Sequence, residues 1–256
     1  MQSNTPSSKL QVNIEVNSPP VIRAKGVLDY DSCDSLSKLI SAAMADSGPT
    51  VELALAGLSF VDSSGLKTLV MAAREAKKNG GSLVVRSLTS QLSRLLDFSG
   101  SRDLFDIGAE PEGDVAVPVV ESPLAISRCF TLPSGAVACC DARNKVCEFA
   151  VNLGCGPVAL DDIKLAFGEA ISNAVRHGAK AGDAIEIRCS GNDGRLVMTL
   201  KYPSAEFDPD AVPVPDLNLS PEGGMGIHFM KLVMDAVNYV FADGHATVTL
   251  ERQLTD

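Results

Sequence analysis

From Leu10 the chain alternates apolar and polar positions. Leu10, Val12, Ile14 and Val16 make one strand, residues 17–20 with two prolines a turn, and residues 21–24 the returning strand. The period then changes to that of a helix. Leu36, Leu39, Ile40, Ala43 and Met44 recur at helical spacing behind Asp31 or Ser32, either of which suits an N-cap, and Gly48 with Pro49 breaks the run. A strand over 50–55, the segment 57–62 and a second amphipathic helix carrying Leu66, Leu69, Val70, Ala73 and Ala76 follow, up to Gly80 and Gly81. A strand over 82–85 and a short helix with Leu92, Leu95, Leu96 and Phe98 complete the first half. Strands alternating with helices of this length predict an α/β unit over residues 10–108, its helices packed on a sheet.

Residues 109–126 hold three prolines with Glu110, Glu112 and Asp114, the composition of a linker. Fully flexible, such a stretch spans about 24 Å r.m.s.. A second α/β unit, over residues 127–253, begins with a strand at 127–132 and a helix from about 134 to 153. Next comes a helix that starts at Asp161 and Asp162, buries Ile163, Phe167, Ala170, Ile171 and Ala174, and ends on Gly178 as its C′ glycine. Strands over 184–189 and 195–200 meet at Asn192, Asp193 and Gly194, a hairpin signal. Residues 203–224 lack periodicity and suggest an extended loop over a site. Gly223, Gly224 and Gly226 then open a last helix, and a closing hairpin turns at Asp243 and Gly244.

The 256 residues, 45% of them hydrophobic, suit two domains with a core each. No run of eighteen apolar residues occurs and the N-terminus lacks a signal-peptide core, so a cytoplasmic protein without membrane contact is expected. Seven cysteines among apolar neighbours point to reduced thiols. Cys139, Cys140, Cys147 and Cys155 are dense, but the absence of a Cys-x-x-Cys pair and of a nearby histidine argues against a metal site. With 22 basic against 32 acidic residues and a net charge of −10, nucleic acid is excluded as a direct partner.

Three places carry chemistry. Glu169 and Asn173 stand four apart, roughly 40° apart around their helix, on the polar flank of its apolar stripe. A carboxylate beside a carboxamide can hold a metal-bound polyphosphate and take a proton from an attacking hydroxyl, or can be a solvated pair. The glycines at 223, 224 and 226 let backbone amides approach a phosphate at the positive end of a helix. Asp62, Ser63, Ser64 and Gly65 open the second helix, where a serine caps free amides or, phosphorylated, sets new charge beside Asp62.

The longer strings are more specific. Glu169-Ala170, Asn173-Ala174 and His177-Gly178, with Gly224 and Gly226 some fifty residues later, resemble the nucleotide boxes of bacterial anti-sigma-factor serine kinases, a branch of the GHKL ATPase fold shared with gyrase and histidine kinases. The resemblance covers about 128–252. It implies ATP and magnesium as cofactors, Glu169 as catalytic base, Asn173 as metal ligand, and Gly224 and Gly226 around the phosphates. Gly26 to Asp29, Leu58 to Leu66, Asn79 to Leu83 and Leu95 to Gly100 together resemble a STAS domain of the anti-sigma-factor antagonist type. That resemblance implies a mixed sheet with packed helices over 10–108, a GHKL-type α/β sandwich behind it, and Ser63, directly after the aspartate, as phosphoacceptor.

Such a fusion would be a partner-switching regulator of a sigma factor. Its partners would be a sigma factor, separate antagonist or anti-sigma proteins, and its own domains, meeting in cis or in a homodimer. The chain also departs from the pattern. Counting back from Phe207-Asp208-Pro209 puts Tyr202 where the kinases have their adenine-binding aspartate and Ser204 where they have a glycine. From Tyr202 through Met230 there is no Lys or Arg, against Glu206, Asp208, Asp210, Asp216 and Glu222. Two readings therefore stay open: an ATP-dependent protein serine kinase, or a binding-only regulator with a degenerate nucleotide pocket.

Overall fold

The computed structural model describes residues 9–108, 126–192, 194–212 and 225–254. Residues 109–125 of the expected linker, Gly223, Gly224, Asp193 and the acids Asp216 and Glu222 lie outside the described residues, and the last linker position, 126, is the first of a strand. The chain divides into two compact units.

In the first unit, β1 (Gln11–Glu15) pairs antiparallel with β2 (Val21–Leu28). Then β3 (Val51–Val61), β4 (Leu83–Ser87) and β5 (Asp106–Ile107) add in parallel, giving the order β1-β2-β3-β4-β5. The helices α1 (Tyr30–Ser47), α2 (Ser63–Lys78) and α3 (Ser90–Phe98) connect the parallel strands, as a parallel pair requires a crossover. Leu36, Ile40, Leu66, Leu69, Leu92 and Leu95 bury the apolar stripes against Ile22, Leu53, Leu55 and Val85. The caps differ from expectation. Asp29, not Asp31 or Ser32, caps α1, and Ser32 completes a capping box by accepting the Asp29 N–H at 2.8 Å.

The second unit is a five-stranded antiparallel sheet, ordered β6-β7-β8-β10-β9, built from β6 (Ile126–Pro133), β7 (Ala184–Asn192), β8 (Arg195–Pro203), β9 (Ala236–Ala242) and β10 (His245–Gln253). Helices α4 (Ala136–Asn152), α5 (Pro157–Asn173) and α6 (Met225–Val233) pack together, α5 between the other two. Ile187, Met198, Leu200, Val248 and Leu250 bury the sheet against Ile163, Phe167, Ile171 and Phe229. The β9–β10 turn has φ 52° at Asp243 and 73° at Gly244, the left-handed pair that a two-residue hairpin of matching twist needs.

Helix α5 corrects the expected start. It begins four residues before Asp161, on Pro157 behind Gly156; proline's fixed φ and missing N–H suit the first helical position. Asp162 is instead buried inside the helix and paired with Arg252 at 2.8 Å, and Arg252 also reaches Asp235. Among the described residues no helix is long and apolar enough to cross a membrane.

Candidate functional site

In the first unit the candidate residues Asp62, Ser63 and Ser64 stand at the β3–α2 junction. Asp62 is the N-cap: its Oδ1 accepts the Gly65 N–H at 2.8 Å, while its own N–H donates to Leu28 O at 3.1 Å. The capping role weighed for the serine thus belongs to the aspartate. Gln91 on α3 holds the residue before it, accepting from Val61 N at 3.2 Å and donating to Val61 O at 3.4 Å. Ser63 is the first residue of α2 and is 6% exposed; Ser64 is half-buried, and its carbonyl accepts from Thr68 Oγ1 at 3.0 Å. A Cβ on Gly65 would stand 2.5 Å from Leu28 O, so only glycine lets the helix start this close to β2.

In the second unit the candidate residues gather where α5 meets α6. Glu169, expected on the polar flank of α5, is fully buried. A Cβ on Gly226 would lie 2.5 Å from Glu169 Oε2 and 3.4 Å from Asn173 Nδ2, so the first turn of α6 presses bare backbone onto both side chains. Three of the four nucleotide-site residues proposed from sequence therefore stand together. The fourth, Gly224, falls outside the described residues. The arrangement offers a phosphate chain backbone amides at a helix N-terminus, with a carboxylate and a carboxamide beside them.

After Asn173 the helix widens into a π-turn over 174–178, a distortion frequent at functional sites. Arg176 Nη2 within it donates to Asn173 Oδ1 at 3.2 Å, a contact that motif spacing did not bring forward. That carboxamide oxygen is the atom a magnesium ion would use, so a metal there has to displace a guanidinium. Burial and the neighbouring Arg176 push the His177 imidazole below its usual range. Gly178 is not a left-handed cap. A Cβ there would lie 2.5 Å from Cδ2 of Tyr202, so glycine is needed for close approach of helix end and sheet.

Tyr202 itself is buried, which pushes its phenol up to about 12. It lies on the helix-facing side of β8, level with Ala246 of β10 and Phe241 of β9; Tyr239 comes two residues before Phe241 on the same face. Burial also raises the Tyr239 phenol, helped by its neighbours Tyr202 and Glu169. Phe207 closes over Tyr239 and Phe241 edge-on, with ring centroids 5.6 and 5.1 Å away. The loop that carries it finds a cation just beyond its acidic span, Lys231 meeting Asp210 at 2.6 Å.

Two family models match separate parts of the chain. Residues 14–106 match the family described as Mlab, STAS domain, and residues 136–252 the family described as histidine kinase-like ATPase domain. The anti-sigma-B factor antagonist of Bacillus subtilis (strain 168) is 36% identical over 110 residues, covering 41% of this chain and 87% of the relative. Among solved structures, the RsbU and RsbW domains of a Mycobacterium tuberculosis protein align at 18% identity and a TM-score of 0.40, over 51% of this chain and 33% of that one. An anti-sigma factor antagonist from Mycobacterium paratuberculosis aligns at 23% and 0.36, over 40% and 86%.

Proposed function

The chain belongs to the anti-sigma-factor antagonist family through its first domain and carries a histidine kinase-like ATPase domain behind it, and on that premise we propose that it is a bacterial partner-switching regulator of a sigma factor. In this reading residues 10–108 are the antagonist domain, 109–126 the tether and 127–253 an anti-sigma serine kinase-like domain that binds ATP. The kinase-like domain would engage a sigma factor or an antagonist, with the phosphorylation state of Ser63 deciding between them.

The observation that carries the reading is the convergence of Glu169, Asn173 and the bare backbone of Gly226 at one point. Backbone amides at the start of α6 would take the phosphates. Asn173 would hold magnesium once Arg176 releases the Asn173 oxygen, and the Arg176 guanidinium would then be a cation beside the phosphates. Bound magnesium-ATP supplies the phosphoryl group and neutralises its developing charge. Glu169 would take the proton of the Ser63 hydroxyl as the serine oxygen bonds to the γ-phosphorus and the bond to the ADP oxygen breaks, leaving phosphoserine and ADP.

Titration of the full chain with ATP, with and without magnesium, tests this. Binding below millimolar concentration is expected, as is loss of its magnesium-dependent part in Asn173→Ala. Radiolabel from the γ-phosphate should appear on wild type and not on Ser63→Ala. No binding at millimolar ATP would leave the binding-only regulator, with a degenerate pocket, as the function.

A further inference from the structure

Strand β3 outruns one of its neighbours. Its register with β4 covers only Val51 to Ala54, whereas β2 follows it to the end, with Leu28 level with Val61. At that end the Asp62 N–H donates to Leu28 O at 3.1 Å. Successive residues of a paired strand turn their backbone groups to opposite sides, so Val61 points its N–H and C=O toward the side that β4 has left. There the Gln91 carboxamide stands in for the missing strand, accepting the Val61 N–H at 3.2 Å and donating to Val61 O at 3.4 Å. Gln91 is the second residue of α3 and is buried. A carboxamide suits the place because it holds an acceptor and a donor side by side, as a peptide group does.

Two residues beyond Val61 stands Ser63, on the first turn of α2 and 6% exposed. Beside the two bonds from Gln91, this turn is held by the Asp62 N–H on Leu28 O at 3.1 Å, the Gly65 N–H on Asp62 Oδ1 at 2.8 Å and the Leu66 N–H on Asp62 O at 2.9 Å. Of these five the Gln91 bonds are the longest, and hydrogen bonds weaken with distance. They also come from the side chain of another helix, so they break without uncapping α2. Phosphoryl transfer needs the serine oxygen in line with the γ-phosphate, and a residue so covered does not present it. Local opening at the end of β3 does, and the weakest contacts open first.

Resting on the reading of Ser63 as phosphoacceptor, we propose that Gln91 is a positioning residue for it: the carboxamide holds the end of β3 so that Ser63 stays covered, and phosphorylation runs through the state in which Gln91 has released Val61. Helix α3 thereby sets how often the acceptor is presented.

The first test reads access to position 63 without any kinase. Ser63→Cys is made in the full-length chain, and its reaction with a dipyridyl disulfide, a thiol reagent that works in mild acid as well as base, is timed by peptide mass spectrometry. Adding Gln91→Leu, of similar size but without donor or acceptor, should raise that rate about tenfold or more, while Cys33 on the neighbouring α1 reacts as before. Gln91→Glu separates hydrogen bonding from packing. Protonated, its carboxyl donates and accepts as the carboxamide does; ionised, it only accepts. The rate at position 63 should therefore match that of Ser63→Cys alone near about pH 5 and that with Gln91→Leu near about pH 8. With Ser63 in place, radiolabel from the γ-phosphate should enter Gln91→Leu at least about threefold faster than wild type. An unchanged rate at position 63 in Gln91→Leu, a rise matched at Cys33, a Gln91→Glu rate indifferent to pH, or slower phosphorylation would each overturn the inference. If neither wild type nor Gln91→Leu takes phosphate on Ser63, the acceptor reading falls and the phosphorylation half of the inference with it, while the thiol rates still decide whether Gln91 covers position 63.

Discussion

Gly65 and Gly178 hold their positions for reasons of space, not of backbone freedom: the atoms a Cβ would strike are Leu28 O and the Tyr202 ring, each 2.5 Å away. Gly65→Ala therefore has to push α2 away from β2, and overpacking of this kind costs about 1–3 kcal/mol. Denaturant titration should show the loss in the first transition to involve the antagonist domain, with Ser63 becoming easier to reach. Thiol chemistry offers a second check at this scale. Burial pushes the Cys33 and Cys189 thiols up to about 12, whereas Cys129 is exposed. The reactive form is the thiolate, and a group titrating near 12 is ionised to roughly three parts in 100,000 at pH 7.5. Timed iodoacetamide labelling at that pH, read by peptide mass spectrometry, should therefore mark Cys129 well before Cys33 or Cys189. Cys33 labelling as fast as Cys129 would mean that α1 opens.

Which elements form was legible in the sequence because apolar period and turn chemistry are local. The alternation at 10–24, the helical stripe from Leu36 to Met44 and the glycine-bearing turn at 243–244 all appear where the residues placed them. What stayed hidden depends on partners far along the chain. Asp161 and Asp162 looked like the start of α5, because a carboxylate before an apolar stripe resembles a cap. Asp162 is inside the helix because Arg252, ninety residues away on β10, pairs with it. Likewise Glu169 is buried because α6 lies over it, and the insertion of β10 between β8 and β9 follows from no local signal. The Asp162–Arg252 pair makes this testable. Asp162 is 3% and Arg252 21% exposed, so Arg252→Met leaves a buried carboxylate without this cation, at a cost near the low end of roughly 3–5 kcal/mol. Adding Asp162→Leu should recover most of that stability, since apolar replacement of both partners is often neutral. A double variant as unstable as Arg252→Met alone would show that Asp162 matters through other contacts.

At the scale of the whole molecule the proposed function raises the question of whether phosphoryl transfer to Ser63 would run within one chain or between chains. If residues 109–126 act as the tether proposed above, they would set an effective concentration up to the millimolar range when their length matches the distance to be spanned. Transfer within one chain would then outpace transfer between chains at micromolar protein, and its rate per chain would not change on dilution. Transfer within a homodimer or between passing chains would slow with dilution below the relevant dissociation constant. Phosphate on Ser63 adds a charge of about −1.5 to −2 beside Asp62, in a chain whose net charge is already −10. Like charge at a docked surface weakens it, so Ser63→Asp is expected to loosen whatever that surface engages and Ser63→Ala to preserve it, with Ser64→Ala having less effect. On the proposed roles, two full-length variants would separate the routes: Ser63→Ala would keep Glu169 but offer no acceptor, and Glu169→Gln would keep the acceptor without the base. Labelled with γ-phosphate, each alone should stay unmarked. Mixed at micromolar concentration, they should also remain nearly unmarked if the tether confines transfer to its own chain, while wild type at the same concentration labels at a dilution-independent rate. Strong labelling of the Glu169→Gln chain in the mixture would place the reaction between chains, and the tether would then serve to keep an antagonist and its kinase at equal copy number and not to bring them together.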